Sequence, residues 1–262
     1  VHPNFFSWGQ VKSLFFKDYE IADDSDGILR ILHNNYRNAG HVAKIANRIL
    51  KLKQARFGSV DRESNYLLHS VSEQDGQIQL LDDTVAIKQE LDTRTAGSAH
   101  VAVLVMRPDQ KEAARQWFST PLIFSVQEAK GLEYDSVVLY NFISEESSVF
   151  NTIFNQVDAR DLEKDTLDYA RPRDKRDKSL ETYKFYVNAL YVALTRAVNN
   201  VYWVEKDHHH PAIRVLALER YADAAVAATT QQSSTEEWQQ EAHRLEKQGK
   251  TEQARAIQEQ IL

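Results

Sequence analysis

The spacing of apolar residues changes period several times along the chain, and each change predicts an element. From Gly27 to His33 the run Ile28-Leu29-Arg30-Ile31-Leu32 is short and apolar, a strand signal. Between His41 and Leu52, Val42, Ile45, Ala46 and Ile49 recur at helical spacing. Ile78 to Leu81 reads as a strand and Thr84 to Leu91 as a helix. Val101 to Met106 is an unbroken apolar run, the pattern of a strand covered on both faces. Pro108-Asp109 opens a helix that runs to Phe118, and Leu122–Ser125 and Val137–Tyr140 are two further strands. Ser179 to Ala197 is a helix and Val201 to Val204 a last strand. Strands alternating with helices predict an α/β domain: a mostly parallel sheet with helices on both faces.

Two stretches break this rhythm. A charged insertion is expected over about 143–180; from Asp158 to Lys178 it carries seven acidic and seven basic residues, the composition of a solvated segment. The second is the tail. Thr229-Thr230-Gln231-Gln232-Ser233-Ser234 reads as a polar linker, which divides the chain into a main domain over 1–228 and a helical hairpin over 229–262. Ser234 or Thr235 is placed to cap a helix whose first turn holds Glu236 and Glu237. Trp238, Ala242 and Leu245 line one face of it, Gly249 ends it, and Ala254, Ile257 and Ile261 line a second helix. The spacing is similar to a tetratricopeptide unit, with Gln258 where that repeat carries a large apolar residue. Two outcomes stay open: the first unit of a longer array, or a hairpin packed on the main domain.

Composition narrows the function classes. With 262 residues and a hydrophobic fraction of 42%, the chain is able to bury a sizeable core. A formal net charge of −6 argues against a basic coat for nucleic acid, though not against a local groove. There is no cysteine, hence no disulfide and no thiolate metal site. No apolar run reaches the roughly 18 residues that a membrane-spanning helix needs. The start, Val1-His2-Pro3-Asn4, has neither an initiator Met nor a signal-peptide pattern and reads as lying inside a longer, cytoplasmic protein. His208-His209-His210 reads as a solvated loop, because three consecutive histidines do not readily face one ion.

Three short stretches carry residues suited to chemistry. Asn34-Asn35-Tyr36-Arg37-Asn38 follows a strand and precedes a helix, so Arg37 and the flat Tyr36 ring are expected at the carboxyl edge of the sheet, where open α/β sheets bind ligands. Ser125 to Asp135, Ser-Val-Gln-Glu-Ala-Lys-Gly-Leu-Glu-Tyr-Asp, joins two strands, with Gly131 permitting a tight turn after Lys130. The third stretch, Leu190 to Ala197, ends a helix on which Val187, Leu190, Tyr191 and Leu194 share one apolar face. Arg196 lies off that face at the helix end, so its replacement is expected to cost little stability.

In this order, the three stretches resemble the later motifs of superfamily 1 helicases of the UvrD/Rep type. Asn35-Tyr36-Arg37 resembles the fourth motif, Asn-Tyr-Arg-Ser, with Asn38 in place of the serine. Gln127 to Glu133 resembles the fifth, Thr-x-His-x-x-Lys-Gly-Leu-Glu, with Ser125 for the threonine and Gln127 for the histidine. Tyr191 to Ala197 resembles the sixth, Tyr-Val-Ala-x-Thr-Arg-Ala. The likeness covers roughly Val1 to Lys206, and the context through Leu139-Tyr140-Asn141-Phe142 is similar to the divergent branch that carries tetratricopeptide or ankyrin repeats. The interval from Arg37 to Lys130 is too short for the large accessory insertion of the best-known members, and that from Lys130 to Arg196 is longer than usual.

The resemblance implies a RecA-like fold of the phosphate-loop NTPase type, the second motor domain of a helicase or translocase. ATP with Mg2+ would bind between it and an N-terminal RecA-like domain of the same parent chain, which supplies the phosphate loop and metal ligands. No Gly-x-x-x-x-Gly-Lys-Ser/Thr pattern occurs in this sequence. By the same likeness Arg37 and Arg196 would be arginine fingers and Tyr36 would stack on adenine. Glu133 would accept from the ribose hydroxyl, while Lys130 and Gly131 would shape the nucleotide loop. Ser125 and Gln127 would contact single-stranded nucleic acid, DNA in this family; Phe5, Phe6 and Trp8 are candidates for stacking surface, with a place in the core as the alternative. The helical tail would meet a protein partner. The competing expectation is a helicase-like scaffold without ATP turnover, an interaction module built on helical repeats.

Overall fold

A computed structural model describes residues 34–59, 66–167 and 179–261. The strand expected at 28–32 and the aromatics Phe5, Phe6 and Trp8 lie outside these residues. In chain order the elements are β1 (Asn34–Asn35), α1 (Gly40–Phe57), β2 (His69–Ser70), β3 (Gln77–Asp82), α2 (Val85–Thr95), β4 (Val101–Val105), α3 (Lys111–Arg115), β5 (Ile123–Ser125) and β6 (Tyr134–Tyr140). They continue with α4 (Ser147–Phe154), α5 (Ser179–Leu194), β7 (Ala197–Glu205), α6 (Pro211–Val215), α7 (Thr235–Lys247) and α8 (Thr251–Ile261).

Five strands form a parallel sheet in the order β3-β7-β6-β4-β5. The strand period of two sorts its side chains between two cores. Ala102 and Leu104 of β4 face one cluster, while Val101, Val103 and Val105 face the other. The larger cluster joins the sheet to α1, α4, α5, α6 and the α7–α8 pair; the smaller packs it against α2 and α3. Covered on both faces, β4 has to be apolar throughout, which accounts for its unbroken run. The chain is therefore α/β, a parallel sheet flanked by helices with a C-terminal helical pair, the arrangement expected of a RecA-like domain.

Local chemistry sets the helix boundaries. Thr84 caps α2 by accepting from the Ile87 amide at 3.3 Å. Ser234 makes a reciprocal capping box at the start of α7: its hydroxyl accepts from the Glu237 amide, and the Glu237 carboxylate accepts from the Ser234 amide. Gly249 ends α7 with φ 73°. On α1, Ile45, Ile49 and Leu52 are at most 1% exposed, each worth roughly 1.5–3 kcal/mol of transfer free energy.

The expected charged insertion over 143–180 is corrected in its first half. Ser147–Phe154 is a helix, and Phe150, Ile153, Phe154 and Leu162 are core residues. Leu162 is held beside α1, where Lys51 Nζ donates to its carbonyl at 3.1 Å and Arg48 pairs with Glu163 at 2.8 Å. Apolar burial at Phe150, Ile153 and Phe154 outweighs the charged flanks; their i, i+3, i+4 spacing was a helix signal. The segment 168–178 lies outside the described residues.

The histidine loop is also corrected. His210 is buried and caps α6: its Nδ1 accepts from the Ala212 amide at 3.1 Å. The ring proton is then on Nε2, 3.2 Å from the Ser147 carbonyl. No helix among the described residues is long and apolar enough to cross a membrane.

Candidate nucleotide-facing site

The Asn34–Asn38 segment is a side-chain-built turn. Asn35 Oδ1 accepts from the amides of Arg37 and Asn38, at 2.9 and 3.1 Å, and Asn35 Nδ2 donates to Asn38 Oδ1 at 2.9 Å. This is the backbone mimicry at which short amides excel. Asn38 then ties the turn to a distant part of the chain. Its Nδ2 donates to the carbonyls of Thr195, at 3.3 Å, and Ala197, at 2.6 Å, on either side of Arg196. The Ala39 amide adds a bond to the Val198 carbonyl at 2.8 Å. Asn38 is 2% exposed, so these bonds are sheltered from water. Its carbonyl accepts from the Ser70 hydroxyl of β2 at 2.8 Å.

A glycine makes the close approach feasible. At Gly76, φ is 69°, and a Cβ there would fall 2.2 Å from the Asn199 carbonyl oxygen and 2.6 Å from Ala39 Cβ. Only a residue without a side chain lets the turn and the start of β7 meet at this point. Asn35, Asn38 and Gly76 carry much of the local geometry, yet the motif resemblance gives Asn35 no role, leaves out Gly76 and treats Asn38 as a departure.

Docked in this way, the turn brings three charged groups together. Arg37 Nη2 lies 2.6 Å from Glu133 Oε1. Arg196 donates through Nε to the Val192 carbonyl at 3.1 Å and through Nη1 to the Leu132 carbonyl at 2.9 Å. Its own carbonyl accepts from the Tyr134 amide at 2.9 Å. Burial pulls the Arg196 guanidinium below arginine's usual value, the positive charge of Arg37 adds to that, and Glu133 opposes it. Tyr191, pushed up by burial, senses both arginines from the last turn of α5. Tyr36 stands beside the cluster with 78% of its surface exposed.

Two expectations change here. The cluster does not sit at the carboxyl edge of the main sheet. Glu133 and Arg196 immediately precede β6 and β7, and the Asn38 and Ala39 bonds anchor Arg37 to that amino edge. The reason is that β1 pairs with β2 in a separate two-stranded sheet, so the turn after β1 belongs to another edge. Arg196 is also a structural residue: its two bonds to carbonyls, on its own helix and on the 125–133 segment, make stability depend on it.

No protein-family model matches the chain. A human protein, "TPR and ankyrin repeat-containing protein 1", is 26% identical to it over 231 residues, taking in 76% of this chain. The chain spans 8% of that protein's length. This is a similarity to one segment of a much longer molecule.

The 125–133 segment crosses between the two edges of the sheet. Ser125 is level with Val105 at the end of β4, whereas Ser136, just beyond Glu133, is level with Val101 at its start. Val126, Ala129 and Leu132 are buried along the way. Gly131, with φ 87° and open space where a Cβ would stand, makes the turn before Leu132. Lys130 and Gln127 are exposed, at different points of the crossing. Ser125 is not exposed. Its amide and hydroxyl both donate to Glu128 Oε2 at 2.8 Å, and the residue is 0% exposed. The expected strand-contacting role of Ser125 is therefore corrected: its hydroxyl is consumed in closing the turn.

As a chemical arrangement the cluster holds two guanidinium groups against one carboxylate, beside an exposed aromatic ring. The Arg37–Glu133 pair has side chains 44% and 41% exposed. Such pairs contribute about 0–1 kcal/mol, so an incoming anion displaces Glu133 from Arg37 at little cost. A phosphate is a suitable anion, since guanidinium donors match its oxygens two at a time.

Proposed function

We propose that this chain is the second RecA-like motor domain of an ATP-dependent superfamily 1 helicase or translocase. It would act with an N-terminal RecA-like domain of the parent protein that holds the phosphate loop. One observation carries the reading: Arg37, Glu133 and Arg196, distant in sequence and each from a different helicase-like motif, meet at one edge of the sheet.

The residues present suit the groups that ATP would bring. ATP supplies the phosphoryl group whose transfer to water the motor exploits. Negative charge develops on the equatorial oxygens as that transfer proceeds, and donors held in place beforehand stabilise it without reorganisation. The carbonyls of Val192 and Leu132 hold Arg196 in such a fixed pose. Arg37 is the adaptable partner, passing from Glu133 to phosphate. Glu133, once released, accepts from a ribose hydroxyl, and the exposed Tyr36 ring stacks on the base. Mg2+ calls for carboxylates and water around phosphate oxygens. Glu133 is the single carboxylate of the cluster, which suits metal ligands supplied by the other domain. Gln127, exposed at the far end of the crossing segment, remains the candidate for the single-stranded nucleic acid backbone.

The test is ATP hydrolysis stimulated by single-stranded DNA in the full protein. Arg196→Ala is expected to abolish stimulation and leave nucleotide binding largely in place. Unchanged hydrolysis would remove the motor reading.

A second reading, an interaction module without ATP turnover, draws on one observation of its own. The similar human protein is named for its repeats, and α7–α8 has tetratricopeptide-like spacing. It predicts that Arg196→Ala protein, where folded, keeps its partner binding and has no ATP turnover to lose.

A further inference from the structure

The α7–α8 hairpin grips the 125–133 segment at both ends. At the Ser125 end, Lys111 Nζ bridges Glu128 Oε1 at 2.9 Å and Glu252 Oε2 on α8 at 2.8 Å. Glu128 is the residue that closes the Ser125 turn, and Arg115 also pairs with Glu252. Lys111 is 6% exposed, so the bridge is shielded at its lysine, while the Glu252 side chain is half exposed. At the Glu133 end, Arg244 of α7 donates to the Glu133 carbonyl at 3.3 Å and lies over the Tyr134 ring. The Tyr134 hydroxyl donates to Glu241 at 2.7 Å, and Glu241 in turn accepts from Arg244 at 2.7 and 2.8 Å. Just before the Ser125 end, Gln253 Nε2 donates to the Ile123 carbonyl of the edge strand β5 at 3.0 Å. Trp238, Leu245, Ala254 and Ile257 belong to the same apolar cluster as Ala129 and Leu132.

A hairpin that merely followed the domain would bury its apolar stripe and leave its charges in water. Here the polar contacts gather on the 125–133 segment and its flanks Ile123 and Tyr134, with one further pair from Glu237 to His100, and the segment ends on Glu133 of the cluster. We propose that the C-terminal hairpin is the positioning element of the 125–133 segment, with Glu252 acting through Lys111 and Glu128, and Arg244 acting on Glu133 directly. Whatever shifts the hairpin thereby shifts Glu133 relative to Arg37, and the exposed turn at Gln127 and Lys130 with it. The link to nucleotide rests on the motor reading; the mechanical coupling does not.

The experiment uses the whole chain without nucleotide and reads amide hydrogen exchange. Glu252→Gln and Arg244→Gln are each expected to speed exchange at residues 126–133 by about tenfold, the scale of one charge-assisted hydrogen bond. Exchange in β6 and β7 should stay at the original rate. Glu252→Asp, which keeps the charge, should restore part of the protection. Unchanged exchange at 126–133, or a uniform rise throughout the sheet, would overturn the proposal, the latter by showing only general support. Glu252 is 52% exposed at its side chain, so the Gln variant is expected to fold even where Arg244→Gln does not. A failure of the motor reading leaves these rates untouched, so the two claims fail separately.

Discussion

Arg37 and Glu133 form a 2.6 Å ion pair across the edge of the sheet, each supplied by a different motif-like stretch. Both side chains are over 40% exposed, so water competes with the pair. Glu133→Gln should therefore shift stability by no more than about 1 kcal/mol. In the full protein it should weaken nucleotide affinity and raise the Michaelis constant, with a smaller effect on turnover. Thermal denaturation and nucleotide titration check both parts; a large fall in melting temperature would show the pair to be structural.

Asn38→Ala should be far costlier than the motif departure suggests. It removes donors to the Thr195 and Ala197 carbonyls and a bond from Asn35, all at a residue 2% exposed. The expected loss is about 1–3 kcal/mol, because the abandoned carbonyls are shielded from water. Denaturant unfolding measures it. Asn38→Ser should fall between, since a hydroxyl is able to reach one carbonyl but not two.

Trp238→Ala tests whether the hairpin is integral to the domain. Trp238 is 6% exposed and part of the main core, so truncation should cost about 3–5 kcal/mol in one cooperative unfolding transition. A silent substitution, or a separate early transition for the tail, would contradict the packing described.

The Lys111 bridge gives a pH dependence of definite sign. At Glu128, burial pushes the carboxyl up, but hydrogen bonds from Lys111 and Ser125 outweigh it and leave the group below glutamate's usual 4.5. Glu252 is lowered as well, chiefly by the Lys111 hydrogen bond. A carboxylate depressed in the folded state stabilises it above the ordinary value and loses that contribution as pH falls through the folded value. Exchange protection at 126–133 should thus be constant near neutral pH and decline below about pH 4.5. With Glu252→Gln the decline should be shallower.

Much of the fold could be read from periodicity, because burial imposes it directly. The Val101–Val105 run, the α1 stripe from Val42 to Leu52 and the Ser234 cap each have a local cause. The cluster was legible as residue types: Arg37, Glu133 and Arg196 stand out by resemblance. Its geometry was not. Asn38 acts across the chain on Thr195 and Ala197, and no local pattern announces a partner that far away. Ser125 looked available because its closure onto Glu128 depends on a turn that spacing does not reveal. The docking of α7–α8 depends on Lys111 and Arg244, whose charges read in sequence as ordinary surface residues. In the 143–162 stretch, an apolar helix face was present in the sequence ahead of the charged run that begins at Asp158.

The central claim is that the cluster completes a nucleotide site, and single-turnover ATP hydrolysis by the full protein carrying Arg196→Ala tests it most directly. Arg196 also bonds to two backbone carbonyls, so a stability loss of about 1–3 kcal/mol is expected and folding must be verified at the assay temperature. Given a folded variant, the account predicts that DNA-stimulated hydrolysis falls by about 10³-fold or more while nucleotide still binds. Arg196→Lys should be nearly as impaired, because an ammonium does not reproduce the planar fork. Hydrolysis at the original rate in folded Arg196→Ala protein would contradict the account and leave the interaction module as the better reading.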